Sequence, residues 1–249
     1  MNSLTIIIPA LNEASNLEGT VLDVLPFLEK LEDYEILIFD DCSTDKTGAV
    51  ADVLAKSNPR IKVIHNAETM GLGYNYKRGV AMASKEYVLL IPGDRDMNVR
   101  TYQELFPKMG TADIILAYTG NMEIRPLTRQ MVSRMYTALM NLLFGMNLRY
   151  FNGIVLHKRP VIQSVTIETD GFAYQAEALI KLIKSGHSFA QTPQWILERK
   201  FGSSKAFYPK NIVRVLKTVA RLYYQIQIKK SGIAKGIAKG TSKGTAEGK

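Results

Sequence analysis

Short apolar runs rich in Ile, Val and Leu recur through the first half of the chain, each closed by polar residues and followed by a segment with helical spacing. Such runs, bounded by turn residues, read as buried strands, and the segments between them read as crossover helices. Strands are expected at Leu4 to Pro9, Glu35 to Asp40, Ile61 to His65, Tyr87 to Pro92 and Asp113 to Tyr118. Helices are expected near Ala14 to Lys30, Lys46 to Ser57, Tyr74 to Ser84 and Thr101 to Met109. This alternation predicts an α/β fold with a mostly parallel central sheet flanked by helices.

After Tyr118 the alternation breaks. A Met-rich, Arg-bearing helix is expected from Thr128 to Gly145, then a turn around Asn152-Gly153 and a helix from Phe172 to Ser185. The main domain is expected to span 1–206, divided at 118/119, with a basic amphipathic helix over 207–230. In that helix Ile212, Val215, Leu216, Val219, Leu222, Tyr223 and Ile226 recur at helical spacing among Arg214, Lys217, Arg221, Lys229 and Lys230. Packing of the stripe on the protein's own core is favoured over membrane contact, since most such stripes face a core. The 231–249 tail repeats glycine every fourth residue, a backbone entropy too large for a stable isolated helix, so disorder or ordering against anionic lipid is expected.

With 249 residues, 46% hydrophobic and 22% charged, the chain is long enough for one substantial core. A formal charge of +9 favours anionic partners: diphosphates, acidic lipid head groups or nucleic acid. Nucleic acid ranks last, for no recognisable motif or aromatic-basic patch supports it. Cys42 is the single cysteine, which excludes an intramolecular disulfide and suits a reducing cytoplasm. The N-terminus does not read as a signal peptide, and no apolar run reaches the roughly 20 residues of a spanning helix. A cytoplasmic protein, either soluble or peripheral on the inner membrane face, is expected.

In open α/β sheets, ligands bind beyond the carboxyl ends of the strands. The first strand ends in Pro9-Ala10-Leu11-Asn12-Glu13 and the second in Asp40-Asp41-Cys42-Ser43-Thr44-Asp45, so the two clusters should lie side by side. Carboxylates there can accept hydrogen bonds from a base N–H and a ribose hydroxyl, whereas Ser43 to Asp45 read as helix capping. The fourth strand ends in Pro92-Gly93-Asp94-Arg95-Asp96-Met97-Asn98. Two carboxylates one residue apart at a strand exit can reach one hard divalent cation, which would bridge a diphosphate.

Pro9 to Glu13, Asp40 to Asp45, the Gly71-Leu72-Gly73 turn and Asp94 to Asp96 resemble, in order and spacing, the family-two glycosyltransferases with the Rossmann-like GT-A fold. Arg129-Gln-Met-Val-Ser133, Glu177 and Glu198-Arg199 to Ser204-Lys205 resemble later motifs of the dolichyl-phosphate mannose synthase branch, within polyprenyl-phosphate glycosyltransferases. The resemblance covers residues 4 to 206 and makes 1–118 the nucleotide-sugar half and 119–206 the acceptor half. It implies a UDP- or GDP-sugar held by Pro9, Ala10, Leu11, Glu13, Asp40, Asp41, Gly71 and Asp94. It also implies Mn2+ or Mg2+ on Asp94 and Asp96, in either of two registers of the Asp-x-Asp motif, and phosphate contacts from Arg129, Ser133, Arg199 and Lys205. The chain departs from the branch at Tyr118-Thr119, where a Ser-Arg is frequent, and at Tyr150 to Gly153, which lacks an aspartate.

The chemistry implied is inverting displacement at the anomeric carbon, with Asp94, Asp96 and Arg199 as the catalytic group. A polyprenyl phosphate, the preferred acceptor, is already a nucleophile; a hydroxyl acceptor needs a base, for which Glu177 or Asp170 is available. Glu177 is equally open as base, acceptor contact or arginine partner. Arg125, Arg129 and Arg134 also read as a solvated face. The rival class is a regulatory homologue that binds a nucleotide sugar without turnover.

Overall fold

All five expected strands form. A computed structural model describes residues 3–198 and 209–229, so Arg199, Lys205 and the 231–249 tail lie outside the described residues. The strands are β1 (Ser3–Ala10), β2 (Asp33–Asp40), β3 (Ile61–His65), β4 (Tyr87–Leu90) and β5 (Ile114–Thr119). Two more, β6 (Val155–Lys158) and β7 (Phe189–Gln194), complete a single sheet in the order β3-β2-β1-β4-β6-β5-β7. β6 pairs antiparallel with both β4 and β5, while the other pairings are parallel.

The helices are α1 (Leu17–Leu28), α2 (Thr47–Ser57), α3 (Leu72–Met82), α4 (Arg100–Leu105), α5 (Leu127–Phe144), α6 (Arg159–Gln163), α7 (Tyr174–Lys184) and α8 (Pro209–Tyr223), which continues as a π turn over Tyr224–Ile228. Strand alternation sorts them into two layers. Leu4, Ile6 and Ile8 of β1 join α1, α2 and α4 in one core, whereas Ile7 meets α3, α5, α6, α7 and α8 in the other. Gly79 lets α3 close on the sheet, since a Cβ there would come within 2.7 Å of Ile7.

β6 and β7 carry little of the pattern that marks a strand. β7 reads Phe-Ala-Gln-Thr-Pro-Gln and lies at the sheet edge, where Pro193 forfeits no ladder bond on its open side. β6 is short and follows the Asn152-Gly153 turn. Helix α4 stops early because Pro107 lacks an N–H, leaving a 3-10 turn at Phe106–Lys108. The segment beyond residue 118 therefore supplies two strands to the same sheet that carries the first half.

The parallel strands align their carboxyl ends along one edge. The exits of β1 and β2 lie on one side of β4, and the β5, β6 and β7 region lies on the other. This order sets the layout of the site.

Candidate active site

The exits of β1 and β2 are stitched together. The Asn12 N–H donates to Ser43 Oγ at 3.0 Å, and Asn12 Oδ1 accepts from the Thr44 N–H at 2.8 Å. The Glu13 N–H donates to Thr47 Oγ1 at 2.8 Å, and the Ala14 N–H to Asp45 Oδ2 at 3.2 Å. Asp45 also accepts from the Thr47 N–H at 2.9 Å, the first donor of α2, whose N-cap Lys46 makes no side-chain cap, while Ser43 and Thr44 tie the two loops. Pro9, Ala10, Leu11, Glu13, Asp40 and Asp41 are thereby gathered at one edge of the sheet.

Asp41 organises the next loop. Its carboxylate accepts from Asn66 Nδ2 at 2.8 Å and from the Met70 and Gly71 N–H groups at 2.9 Å each. Gly71 has φ 94°, a left-handed conformation open chiefly to glycine, and it starts α3. At Gly73 a Cβ would meet the Thr169 carbonyl at 2.8 Å, so glycine is required by the close approach of that strand of chain. Asp40 is 7% exposed and receives the Ser43 N–H at 3.1 Å on Oδ1 and His65 Nδ1 at 3.0 Å on Oδ2. Burial raises its pKa, but the hydrogen bonds from Ser43 and His65 outweigh burial and hold it below 3.8.

The loop after β4 brings Asp94 and Asp96 to the centre of the edge. Arg95 between them has φ 51°, a conformation that costs a non-glycine residue about 1 kcal/mol or more. Its guanidinium reaches back to α1, with Nε 2.7 Å and Nη2 3.0 Å from the two oxygens of Asp23. The side chain lies where a Cβ on Gly19 would sit, within 2.6 Å, so Gly19 makes room for the clamp. The loop is also sewn to the chain after β7: the Leu197 N–H donates to the Asp96 carbonyl at 2.7 Å and the Asn98 N–H to the Trp195 carbonyl at 2.8 Å. Tyr102, buried beneath, has its phenol pKa pushed up by burial and then by the charges of Asp23, Asp96 and Asp94. The three carboxylates thus share one electrostatic neighbourhood.

Asp96 faces two cavities, of ≈ 420 Å³ and ≈ 460 Å³; Asp94 lines neither. Asp96, Arg125 and Arg129 border both. Ser133 lines the first, whose remaining wall is largely apolar and includes Val132 and Tyr136 of α5, Phe172 and Tyr174, and Ile212, Val215 and Leu216 of α8. Arg134 is exposed and lines neither cavity, so of the three arginines grouped as a face two border the cavities and one does not. Arg125 and the Arg95 clamp carry no recognisable pattern in the sequence; each follows from tertiary contacts.

Of the three roles open to Glu177, its surroundings match the arginine partner. It is 0% exposed, and both oxygens are engaged: Oε1 by the Glu168 N–H at 3.0 Å and Lys181 Nζ at 2.6 Å, Oε2 by the Thr169 N–H at 3.1 Å and Arg221 Nη2 at 3.0 Å. This is the arginine-partner role, and it leaves no lone pair directed at a substrate. Asp170, the other base considered, is exposed and pairs with Lys77 at 2.6 Å.

Among the described residues no three His, Cys, Asp or Glu side chains cluster as a complete ligand set. Asp94 and Asp96, a pair of carboxylates at a strand exit, offer the hard oxygen donors that would suit a divalent cation.

Among known proteins, an undecaprenyl-phosphate mannosyltransferase of Micrococcus luteus is 27% identical over 219 residues, 82% of this chain and 87% of that protein. A polyprenol monophosphomannose synthase of Mycolicibacterium smegmatis is 28% identical over 80% of this chain and 79% of its own length. Among solved structures, Mycobacterium tuberculosis glucosyl-3-phosphoglycerate synthase in complex with Mn2+, uridine diphosphate and glucosyl-3-phosphoglycerate matches with TM-score 0.64 at 16% identity, over 90% of this chain and 79% of that one. The same enzyme with Mg2+ and uridine diphosphate matches with TM-score 0.62 at 15% identity, over the same shares. At such identities the likeness speaks to fold, and the fold is of the GT-A type. Residues 5–162, more than half of the chain, match Glycosyl transferase family 2, and the chain belongs to that family.

Proposed function

We propose that this glycosyltransferase moves a sugar, with inversion, from a UDP- or GDP-sugar to a polyprenyl phosphate at a membrane surface. The observation that carries the acceptor is the amphiphilic shape of the first cavity. Asp96, Arg125, Arg129 and Ser133 bring charge and a hydroxyl to its lining, and much of the remainder is apolar, with Val132 and Tyr136 from α5 and Ile212, Val215 and Leu216 from α8. A phosphate beside the polar residues with hydrocarbon along the apolar ones matches both parts. Relatives named for polyprenyl-phosphate mannosyl transfer support the same reading.

The reading of each residue follows from its place. Pro9, Ala10, Leu11, Glu13, Asp40, Asp41 and Gly71 frame the nucleoside side. Asp94 and Asp96 would hold Mn2+ or Mg2+, which would supply charge stabilisation for the departing diphosphate. Arg129, Ser133, Arg199 and Lys205 contact phosphates, the last two from outside the described residues. The Arg95–Asp23 clamp keeps the two aspartates aligned, so that catalysis lies in positioning and in leaving-group stabilisation. A phosphate acceptor is already anionic, so the engaged state of Glu177 deprives the reaction of nothing.

The surface also suits a bilayer. No helix among the described residues is long and apolar enough to cross one. Yet α5 exposes Leu127, Met131, Met135 and Leu142, and α8 exposes Ile212, Val213 and Leu216 beside Lys210, Arg214 and Lys217. Apolar residues flanked by cations are the composition of a helix lying in the interface of an anionic membrane.

The donor half is tested by thermal shift, because a ligand of the folded state raises its stability. A nucleoside diphosphate of uridine or guanosine should raise the melting temperature in a manganese-dependent way, and Asp96→Asn should abolish the metal dependence. A metal-dependent shift that survives in both Asp94→Asn and Asp96→Asn contradicts the assignment.

A further inference from the structure

The cavity seam is formed by Asp96, Arg125 and Arg129, and the partners of Arg125 differ from those of Arg95 and Arg221. Arg95 is bound to Asp23, and Arg221 to Glu168 and Glu177. Among the described residues Arg125 forms no ion pair; its guanidinium donates from Nη1 to Tyr150 Oη at 2.9 Å, a neutral acceptor. Tyr150 is itself 5% exposed, so the hydroxyl that holds the guanidinium is fixed by burial.

The backbone is equally well held. The Arg125 carbonyl accepts from Gln130 Nε2 at 2.8 Å, its N–H donates to the Met122 carbonyl at 3.0 Å, and Pro126 follows as the cap of α5. A half-buried guanidinium held by Tyr150 uses one of its five donors there, and Arg125 lines both cavities with the rest of its planar fork outside any ion pair among the described residues. That geometry suits a phosphate, which accepts two parallel N–H bonds.

We propose that Arg125, positioned by Tyr150, is a binding residue for the phosphate monoester of the acceptor. The proposal rests on the anionic-acceptor reading above and adds the residue that selects a phosphate over an alcohol. Position in the sheet favours acceptor over donor. The nucleoside clusters follow β1 and β2, on one side of β4, whereas Arg125 follows β5 and Tyr150 precedes β6, on the other side. Arg125 follows the exit of β5 at Thr119 by one short turn and directly precedes Pro126, the N-cap of α5.

The experiment measures the melting temperature of the full chain with geranyl phosphate, geraniol, and uridine and guanosine diphosphates with manganese, in wild type, Arg125→Gln, Arg125→Lys and Tyr150→Phe. Geranyl phosphate, and not geraniol, should stabilise the wild type. Arg125→Gln should weaken geranyl phosphate by about tenfold or more, the loss of a charge-assisted pair, with the nucleoside diphosphate response kept. Arg125→Lys keeps the charge without the fork and should fall between, as should Tyr150→Phe, which frees the guanidinium. If Arg125→Gln does not fold, the lysine and phenylalanine variants carry the test. Equal stabilisation of wild type by alcohol and phosphate, undiminished phosphate binding in the variants, or a loss confined to the nucleoside diphosphate overturns the role of Arg125. A wild type that answers a nucleoside diphosphate but not geranyl phosphate overturns the acceptor reading beneath it.

Discussion

His65 bridges two carboxylates, with Nδ1 3.0 Å from Asp40 and Nε2 3.1 Å from Asp52, and both contacts favour the imidazolium. The hydrogen bond to Asp40 does most to raise its pKa above 6.5, burial opposes the rise, and Asp52 adds to it. A raised histidine pKa contributes stability that is full below 6.5 and is lost as pH rises through the folded value; the lowered Asp40 contributes above 3.8 and loses it as pH falls. The bridge is therefore complete between those two unfolded values, and an NMR titration should place the His65 midpoint above 6.5, falling back when Asp40→Asn is introduced. A midpoint at or below 6.5 contradicts the bridge. Glu177→Gln leaves Lys181 and Arg221 facing a neutral amide in a buried setting, and unfolding by denaturant should show a loss of about 3 kcal/mol. Turnover per folded molecule should persist; its collapse would restore Glu177 as a base. The strand-end acids were legible because a buried run followed by carboxylates has few other uses. The role of Glu177 was not, because its partners lie on the same helix, in the preceding loop and on α8, and only packing brings them together.

At the scale of elements, α8 divides its apolar stripe between two surroundings. Val219 and Leu222 enter the core and Tyr223 meets Phe144 edge-on at 6.4 Å, while Ile212 and Leu216 stay exposed. The expected core packing is thus half of the arrangement. The other half is exposed, as are Met135 at 69% and Leu142 at 81% on α5, and we assign these residues to the proposed membrane face. A paired Leu142→Glu and Leu216→Glu variant should lose flotation with anionic liposomes while keeping its response to a nucleoside diphosphate. Flotation as strong as that of wild type contradicts the membrane face. The helices and the buried parallel strands announced themselves through period and composition. β6 and β7 did not, since a short reversed strand and a polar edge strand with Pro193 are specified by their neighbours rather than by their own residues.

Across the whole molecule, the proposed reaction path follows the sheet order along one edge. Nucleoside clusters follow β1 and β2, Asp94 and Asp96 follow β4 in the middle, and the cavity of Arg125 and Arg129 lies toward β5 and β6. Placing the leaving group and the acceptor on opposite sides of the β4 exit is the geometry an inverting displacement requires, with the anomeric carbon between them. The net charge of +9 suits both ends of that path, a diphosphate and an anionic membrane. The most direct measurement incubates the protein with undecaprenyl phosphate in liposomes, manganese and a panel of UDP- and GDP-sugars, and analyses the lipid by mass spectrometry and its anomeric configuration by NMR. A prenyl-phosphate hexose of inverted configuration, formed with release of the nucleoside diphosphate, is the predicted result. No glycolipid from any donor, under conditions where a nucleoside diphosphate binds, contradicts the proposed acceptor.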